Sequence, residues 1–139
     1  MNDPKFPSGP SKLVDIRAFE SSGDLQLING YGENNFRVSG KRYSGSIMLV
    51  PFQTLPWQPP ESTADLNIDF ILPHLGKAVP PLFILGLGRA PMAPMNDLAA
   101  SLKDAGIALE LMSTAAACRT WNVLMSEGRD AAAGLYAVD

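Results

Sequence analysis

The second half of the chain alternates strand-like and helix-like apolar runs, and this rhythm constrains the fold more than any other feature. Residues 82–85 and 107–112 are short apolar runs. Residues 97–105 and 114–127 carry apolar residues at helical spacing, and 131–138 form a last apolar stretch. Strand–helix–strand–helix–strand order over so short a span favours right-handed crossovers in a largely parallel sheet. We therefore predict an α/β fold.

Capping residues set the expected ends of the two helices. Asn96 or Asp97 is predicted to cap the first helix, and Ser113 or Thr114 the second, because short polar side chains accept hydrogen bonds from first-turn N–H groups. Glycine tolerates the left-handed backbone that ends a helix, and it stands after both segments, as Gly106 and Gly128.

The first half of the chain predicts antiparallel strands joined by turns. Residues 36–38 and 41–43 flank Ser39-Gly40, a two-residue turn pair typical of a β-hairpin. Residues 47–50 are an uninterrupted apolar run, which indicates a strand buried on both faces. A two-residue loop would place three pairs across the ladder: Val38 with Lys41, Phe36 with Tyr43, and Arg37 with Arg42. The sheet is therefore expected to be mixed, with helices packed against it.

Two further segments complete the predicted organisation. Residues 1–12 are predicted to be a flexible arm and residues 13–139 a single α/β domain, with a first strand over 13–18. The proline-rich residues 51–60 are expected to form an ordered loop or an extended crossing segment, in which Trp57 is exposed. Together with methionines and prolines near residue 93, Trp57 would form an apolar patch of the kind that marks interfaces; burial is the alternative.

Charge and cysteine content exclude several function classes. The net charge is −3, and the basic residues are scattered, which argues against nucleic-acid binding. The single cysteine, Cys118, permits no internal disulfide and fits a reducing compartment. No signal-peptide core follows the start, and no apolar run approaches the ~18 residues that cross a bilayer. We expect a cytoplasmic bacterial protein, or a mitochondrial matrix protein if the source is eukaryotic.

Two stretches of sequence resemble a known family. They are Tyr31-Gly32 with FRVSGKRYSGS at 36–46, and ELMST at 110–114 with ACRTWNVL at 117–124 and EGR at 127–129. From about Leu13 to the C-terminus the chain resembles the small α/β domain-of-unknown-function family that includes mitochondrial complex I assembly factor 3 and its bacterial relatives. The resemblance implies a three-layer domain with a central mixed β-sheet. It implies no reaction, and it implies binding to other proteins during complex assembly.

Cys118 is the first candidate for chemistry. It lies near the start of a predicted helix, where the helix dipole and the neighbouring Arg119 would lower a thiol pKa. It also shares a helix face with Ala117 and Trp121, and a buried free cysteine usually serves as a small apolar residue. Both interpretations are open. The single histidine, His74, lies in a different segment, and no sequence feature couples it to Cys118.

Three arginines are candidate binding residues. A cation near a helix N-terminus is unfavourable, so Arg119 is predicted to pair with Glu110 on the preceding strand, or else to meet an anion or an acidic partner. Arg37 and Arg42 would oppose each other across the hairpin, which destabilises it slightly. They either point into water or form a basic patch that receives an acidic or phosphorylated partner.

Gly86 and Gly88 follow a predicted strand, as the glycines of a dinucleotide-binding loop do. The third glycine is missing, and prolines displace the helix that should hold the phosphates. The alternative is that the two glycines let the chain turn sharply as it leaves the sheet. No spacing of Asp, Glu, His and Cys matches a metal site, and no cofactor is indicated.

Two functions remain on sequence grounds. The first is a non-enzymatic protein-interaction module, such as an assembly factor for a respiratory complex, with unidentified protein partners and peripheral contact with a membrane complex. The second is a small-molecule or anion-binding protein or enzyme with a site near four residues: Gly86, Gly88, Cys118 and Arg119. The sequence indicates no oligomeric state.

Overall fold

A computed structural model describes residues 24–89 and 94–139 of the chain. The arm predicted over 1–12, the strand predicted over 13–18 and most of the methionine–proline segment lie outside the described residues. The elements follow in the order β1 (Ile28–Gly32), β2 (Asn35–Val38), β3 (Lys41–Ser44), β4 (Ile47–Val50), β5 (Gln53–Pro56), 3-10 turns at Thr63–Asp65, Ile68–Phe70 and Leu72–His74, β6 (Leu82–Gly86), α1 (Asn96–Asp104), β7 (Ala108–Met112), α2 (Thr114–Ser126) and β8 (Ala132–Leu135).

Within the described residues the strands form two sheets. The central sheet has five strands in the order β5-β4-β8-β6-β7, and the small sheet has three in the order β1-β2-β3. Strand β6 runs parallel to both β7 and β8, whereas β4 runs antiparallel to β5 and β8. The parallel pairs arise from the two strand–helix–strand crossovers, and the antiparallel pairs from the first half of the chain. The predicted mixed sheet is confirmed.

The central sheet lies between two apolar layers. Helix α2 and the small sheet cover one face, and their buried side chains include Phe36, Val38, Trp121 and Met125. Helix α1 and the 3-10 turns cover the other face. Their contribution comes from the following buried side chains: Leu66, Ile71, Leu75, Leu98 and Leu102. Apolar residues at strand and helix spacing therefore build the three-layer α/β fold that the sequence and the resemblance predicted.

The predicted hairpin forms between β2 and β3 in the predicted register. Ser39 has φ +48° and Gly40 has φ +82°, the left-handed pair of a type I′ turn, whose twist matches that of the strands. Arg37 faces Arg42 across the ladder. The Ser39 hydroxyl also donates to the carbonyl of Leu25 (2.8 Å) and accepts from the N–H of Leu27 (3.1 Å), which ties the turn to the chain before β1.

The predicted exposure of Trp57 is wrong. The residue is 3% exposed, and its indole N–H donates to the carbonyl of Phe70 at 2.8 Å. Its ring packs edge-on against Tyr136, with centroids 5.6 Å apart. The proline-rich segment includes an edge strand, β5, which turns Trp57 back onto the apolar face of the central sheet. Residues far along the chain therefore bury the side chain.

One helix cap is confirmed and the other is wrong. The Ser113 hydroxyl accepts from the N–H of Ala116 at 3.1 Å, as expected for the N-cap of α2. Helix α1 begins at Asn96 after Met95, which provides no side-chain cap. Asp97 instead lies within the first turn, where its negative charge favours the positive end of the helix dipole.

Candidate functional site

The C-terminal end of β6 meets the N-terminus of α2 in close contact, a region we call the α2 junction (Gly86, Gly88, Thr114 and Tyr136). A Cβ added to Gly86 would lie 3.0 Å from the Cβ of Ala117 and 3.1 Å from the Cα of Thr114. Such distances are shorter than ordinary carbon–carbon contacts, so only glycine lets the helix approach the strand this closely. Gly86 therefore has a packing role.

Thr114 links the three chain segments of the α2 junction. Its side chain is fully buried, and its hydroxyl donates to the carbonyl of Tyr136 (2.7 Å) and accepts from the N–H of Gly88 (2.9 Å). Its own N–H donates to the carbonyl of Gly88 at 3.0 Å. Gly88 has φ +85°, which a side chain would strain. Both polar backbone groups of Gly88 are thus satisfied within the protein, as buried polar groups require.

These contacts do not favour a phosphate site at the α2 junction. An anion at a helix N-terminus binds free first-turn N–H groups. Here the N–H of Thr114 binds Gly88, and the N–H of Ala116 binds the Ser113 cap. The geometry supports the structural role of Gly86 and Gly88, which is to let the chain turn sharply as it leaves the sheet. Ligand binding at these glycines stays a prediction.

Cys118 lies inside the apolar layer between α2 and the central sheet. It is 4% exposed and packs in the same cluster as Ile84 and Trp121. Burial raises the pKa of its thiol from 9.0 to about 12, against the opposing effect of the Arg119 charge. The thiol is therefore neutral near pH 7, whereas nucleophilic cysteines act as thiolates.

The structure separates His74 from Cys118. His74 ends the third 3-10 turn, and its neighbours Leu72 and Leu75 pack on the face of the central sheet that α1 covers. Cys118 packs on the opposite face. The sheet therefore stands between the two side chains, and they form no catalytic pair.

The predicted ion pair between Glu110 and Arg119 is not formed. Across residues 24–89 and 94–139, no carboxylate lies within 4.0 Å of the Arg119 guanidinium. Within the same residues, an ion pair joins Arg129 to Glu127 at 3.8 Å. Arg119 lies on the solvent side of α2 with the exposed Val123 one turn later. Glu110 lies in β7, at the edge of the central sheet. The helix face that packs on the sheet is the one opposite Arg119, so the charges do not meet.

The outer side of the small sheet brings Arg37 and Arg42 together, and we call it the arginine face (Gly30, Gly32, Asn35, Arg37 and Arg42). Gly30 of β1 stands opposite Arg37 of β2, which stands opposite Arg42 of β3, so the three form one row across the sheet. Phe36 lies on the opposite side of the strand and is buried. The two guanidinium groups therefore extend from the solvent side.

A trough of about 290 Å³ runs along the arginine face. The residues that line it come from all three strands and the turn after β1: Gly30, Tyr31, Gly32, Glu33, Asn35, Phe36, Arg37 and Arg42. A Cβ added to Gly30 or Gly32 would have no atom within 4 Å, so the glycines leave the space open. The trough is thus a concave surface with two adjacent positive charges, a suitable shape for a negatively charged group.

Asn122 holds the small sheet against α2, a role that the sequence did not reveal. Its amide oxygen accepts from the N–H of Ile28 and its amide nitrogen donates to the carbonyl of Ile28, both at 2.8 Å. The neighbouring Trp121 indole donates to the carbonyl of Gln26 at 2.7 Å. The sequence signal that could have indicated this role is an asparagine in the middle of a predicted helix, because asparagine has a low helix propensity. These bonds position the arginine face.

The described residues show no other obvious chemistry. In the part of the chain that the structure covers, no cluster of three or more His, Cys, Asp or Glu side chains is placed to hold a metal ion. No helix among the same residues is long and apolar enough to cross a bilayer.

The layered fold defines a class of small α/β domains that is known from bacterial proteins. The NMR structure of a Bordetella pertussis protein described as an Mth938-like domain matches with a TM-score of 0.66 at 23% identity, over 91% of this chain and 92% of that chain. A crystal structure from Bordetella parapertussis matches with a TM-score of 0.72 at 30% identity, over 82% and 97%. The family model described as a protein of unknown function (DUF498/DUF598) matches residues 28–136. The chain belongs to this family, which confirms the predicted resemblance.

Two relatives show the range of the family. An uncharacterised protein of Rhodobacter capsulatus is 33% identical over 108 residues, which cover 78% of this chain and 82% of the relative. The NADH dehydrogenase [ubiquinone] 1 alpha subcomplex assembly factor 3 of Xenopus tropicalis is 28% identical over 120 residues, 86% of this chain. The match covers 65% of the frog protein, so the chain spans just under two thirds of that relative's length.

Proposed function

We propose that this chain is a non-enzymatic protein-interaction module that acts in the assembly of a protein complex. The observation that carries the proposal is its relationship to assembly factors of NADH dehydrogenase. The frog and human proteins match this chain over 120 and 115 residues, both at 28% identity. A match of this length takes in most of the three-layer domain, so the relationship is not confined to one short motif.

The surroundings of the residues that suggested chemistry support this proposal. The Cys118 thiol is buried with its pKa raised to about 12, and the Gly88 backbone is bonded within the chain. By contrast, Arg37 and Arg42 are exposed beside a trough. Exposed charges are common on protein surfaces, but two adjacent cations beside a concave surface can meet a negatively charged partner.

The finer proposal concerns the partner and the compartment. We propose a respiratory complex as the assembly target, since the assembly factors that match this chain are named for NADH dehydrogenase. The module would act from the cytoplasm of a bacterium, or from the mitochondrial matrix of a eukaryote, by peripheral contact with the growing membrane complex.

Deletion of the gene in its native organism tests the proposed function. We expect lower amounts of mature respiratory complex or accumulation of a subassembly on native gels, together with reproducible capture of a subunit by the tagged protein. Cys118→Ala is the matched control, and it should restore assembly fully, because a module does not use the thiol. Normal assembly in the deletion strain, or failure of Cys118→Ala to restore it in a folded protein, would contradict the proposal.

A further inference from the structure

We infer that the arginine face binds an acidic segment of the partner protein, with Arg37 and Arg42 pairing with its carboxylates. The inference rests on the proposed function as an interaction module, and it adds the place and the chemistry of the contact. Three features of the described residues carry it: the open space above Gly30, the two opposed arginines and the trough beside them.

Gly30 leaves open space on the arginine face. Its φ is not in the left-handed region, and an added Cβ would meet no atom within 4 Å. Glycine in a strand interior is less stable than alanine, because it loses more conformational freedom on folding. Such a glycine often marks a bulge or a place where another molecule approaches closely. The register shift of β1 falls between Ile28 and Gly30, so this irregularity is one reason for a glycine here. The open space above Gly30 also lets another molecule approach the two arginines.

The two arginines are opposed without compensation. Arg37 and Arg42 face each other directly, and like charges in this position destabilise a sheet. In the described part of the chain neither guanidinium lies within 4.0 Å of a carboxylate, although Glu33 lines the same trough. An incoming anion would relieve the repulsion, so the pair favours a bound state over the free one.

Carboxylates suit this trough better than phosphates do. Phosphate sites usually present converging backbone N–H groups from a helix N-terminus or a compact turn. The floor here is strand backbone that pairs with β2, so the charge comes from guanidinium groups alone. A guanidinium forms two parallel hydrogen bonds with a carboxylate or with a phosphate, so the absence of N–H groups from a helix N-terminus among the described lining residues is what favours carboxylates here.

An NMR titration of the isotope-labelled full chain with an acetylated, amidated hexaglutamate peptide tests the site directly. We expect shift changes concentrated at the backbone amides of Gly30, Gly32, Arg37 and Arg42. Arg37→Gln with Arg42→Gln should weaken binding at least tenfold. Gly30→Val keeps both charges but fills the trough, and it should weaken binding about threefold or more. Unfolding midpoints of the variants check that each is folded.

The matched control is Lys77→Gln with Lys103→Gln, which removes the same charge from exposed positions elsewhere. It should change the affinity less than twofold. Equal weakening by the control, no binding of hexaglutamate, or a response to phosphate or a phosphoserine peptide alone would overturn the acidic-segment site. If the arginine double variant captures the partner fully in cells, the arginine face is not the binding surface, while the proposed function as an interaction module still stands. No partner with the wild-type protein would remove the proposed function itself.

Discussion

The α2 junction and the arginine face use glycine in opposite ways. Gly86 is enclosed, and an added Cβ would lie 3.0 Å from Ala117, whereas the space above Gly30 is empty to at least 4 Å. In the sequence, Gly86 and Gly88 suggested either a ligand loop or a sharp turn out of the sheet, and Gly30 carried no prediction. The comparison teaches that the surroundings of a glycine decide its role. A closely packed glycine lets two elements approach each other, whereas a glycine in open space beside charged side chains leaves room for a binding partner.

The reactivity of Cys118 offers the largest test of this contrast. A pKa raised from 9.0 to about 12 lowers the thiolate fraction about a thousandfold. We expect the native thiol to react with Ellman's reagent at pH 7.5 at least a thousandfold more slowly than in denaturant. Stopped-flow absorbance measures both rates. Comparable rates would show that the interior beside the α2 junction is open to chemistry.

The same thiol predicts a pH dependence of stability. The folded state holds its proton up to about pH 12, while the unfolded state releases it near pH 9, so the free energy of unfolding should fall as pH rises through this window. Below pH 9 the thiol contributes no slope. Cys118→Ala should make the fall shallower in denaturant titrations at pH 8, 9 and 10. An unchanged slope would show that the thiol ionises normally in the fold.

Thr114→Val should destabilise the α2 junction by about 3 kcal/mol. The substitution keeps the shape but leaves the N–H of Gly88 and the carbonyl of Tyr136 without a partner, at about 1–3 kcal/mol each. Equilibrium denaturation gives the difference in unfolding free energy. Thr114→Ser is the control; it retains the hydroxyl and should cost about 1 kcal/mol for one buried methyl group. Equal losses in both variants would show that packing, and not hydrogen bonding, holds the junction.

Alanine at the two glycines compares the regions directly. Gly86→Ala should cost about 2 kcal/mol, because its Cβ meets the helix backbone at 3.1 Å and the neighbours cannot move without strain. Gly30→Ala should be neutral or stabilise the protein by about 0.5 kcal/mol. Thermal and denaturant unfolding measure both. Similar effects at the two positions would remove the distinction between enclosed and open glycine.

Neutralising Arg37 should have the smallest effect on stability. Arg37→Gln removes the repulsion from Arg42 and should stabilise the protein by about 0.3 kcal/mol at low salt, with little effect at 1 M salt because the exposed charges are screened. Denaturation at both salt concentrations measures this difference. Lys103→Gln serves as a comparison without an opposed cation. A clear destabilisation at low salt would indicate that Arg37 has a stabilising contact within the chain.

Local chemistry made much of the fold predictable. The left-handed Ser39-Gly40 turn fixed the pairing of Arg37 with Arg42, because a two-residue loop allows one register. The rhythm of the second half predicted the parallel strands, and the serine at position 113 predicted the start of α2. For the candidate site, the opposition of the arginines was predictable, but the trough beside them was not, since it depends on the place of β1.

The misses share a physical cause. Trp57 seemed exposed among prolines, yet its indole binds Phe70 and its ring packs on Tyr136, which lies far along the chain. The expected Glu110–Arg119 ion pair does not form, because two residues that are near each other in sequence need not lie on facing sides of a helix and a strand. A helical pattern shows that one side is apolar, but the angle at which the helix packs decides where its flanks lie.

The sequence by itself determined most of the strands, the two helices, the hairpin register and a mixed sheet with helices packed against it, because these follow from periodicity and turn chemistry within short segments. The tertiary structure alone decided which polar groups are satisfied and which are left for a partner. Asn122 meets Ile28, and Thr114 joins Gly88 to Tyr136, only when the layers close. Such bonds depend on the packing of distant segments. The open space above Gly30 depends on it too, so neither can be predicted from a short stretch of sequence.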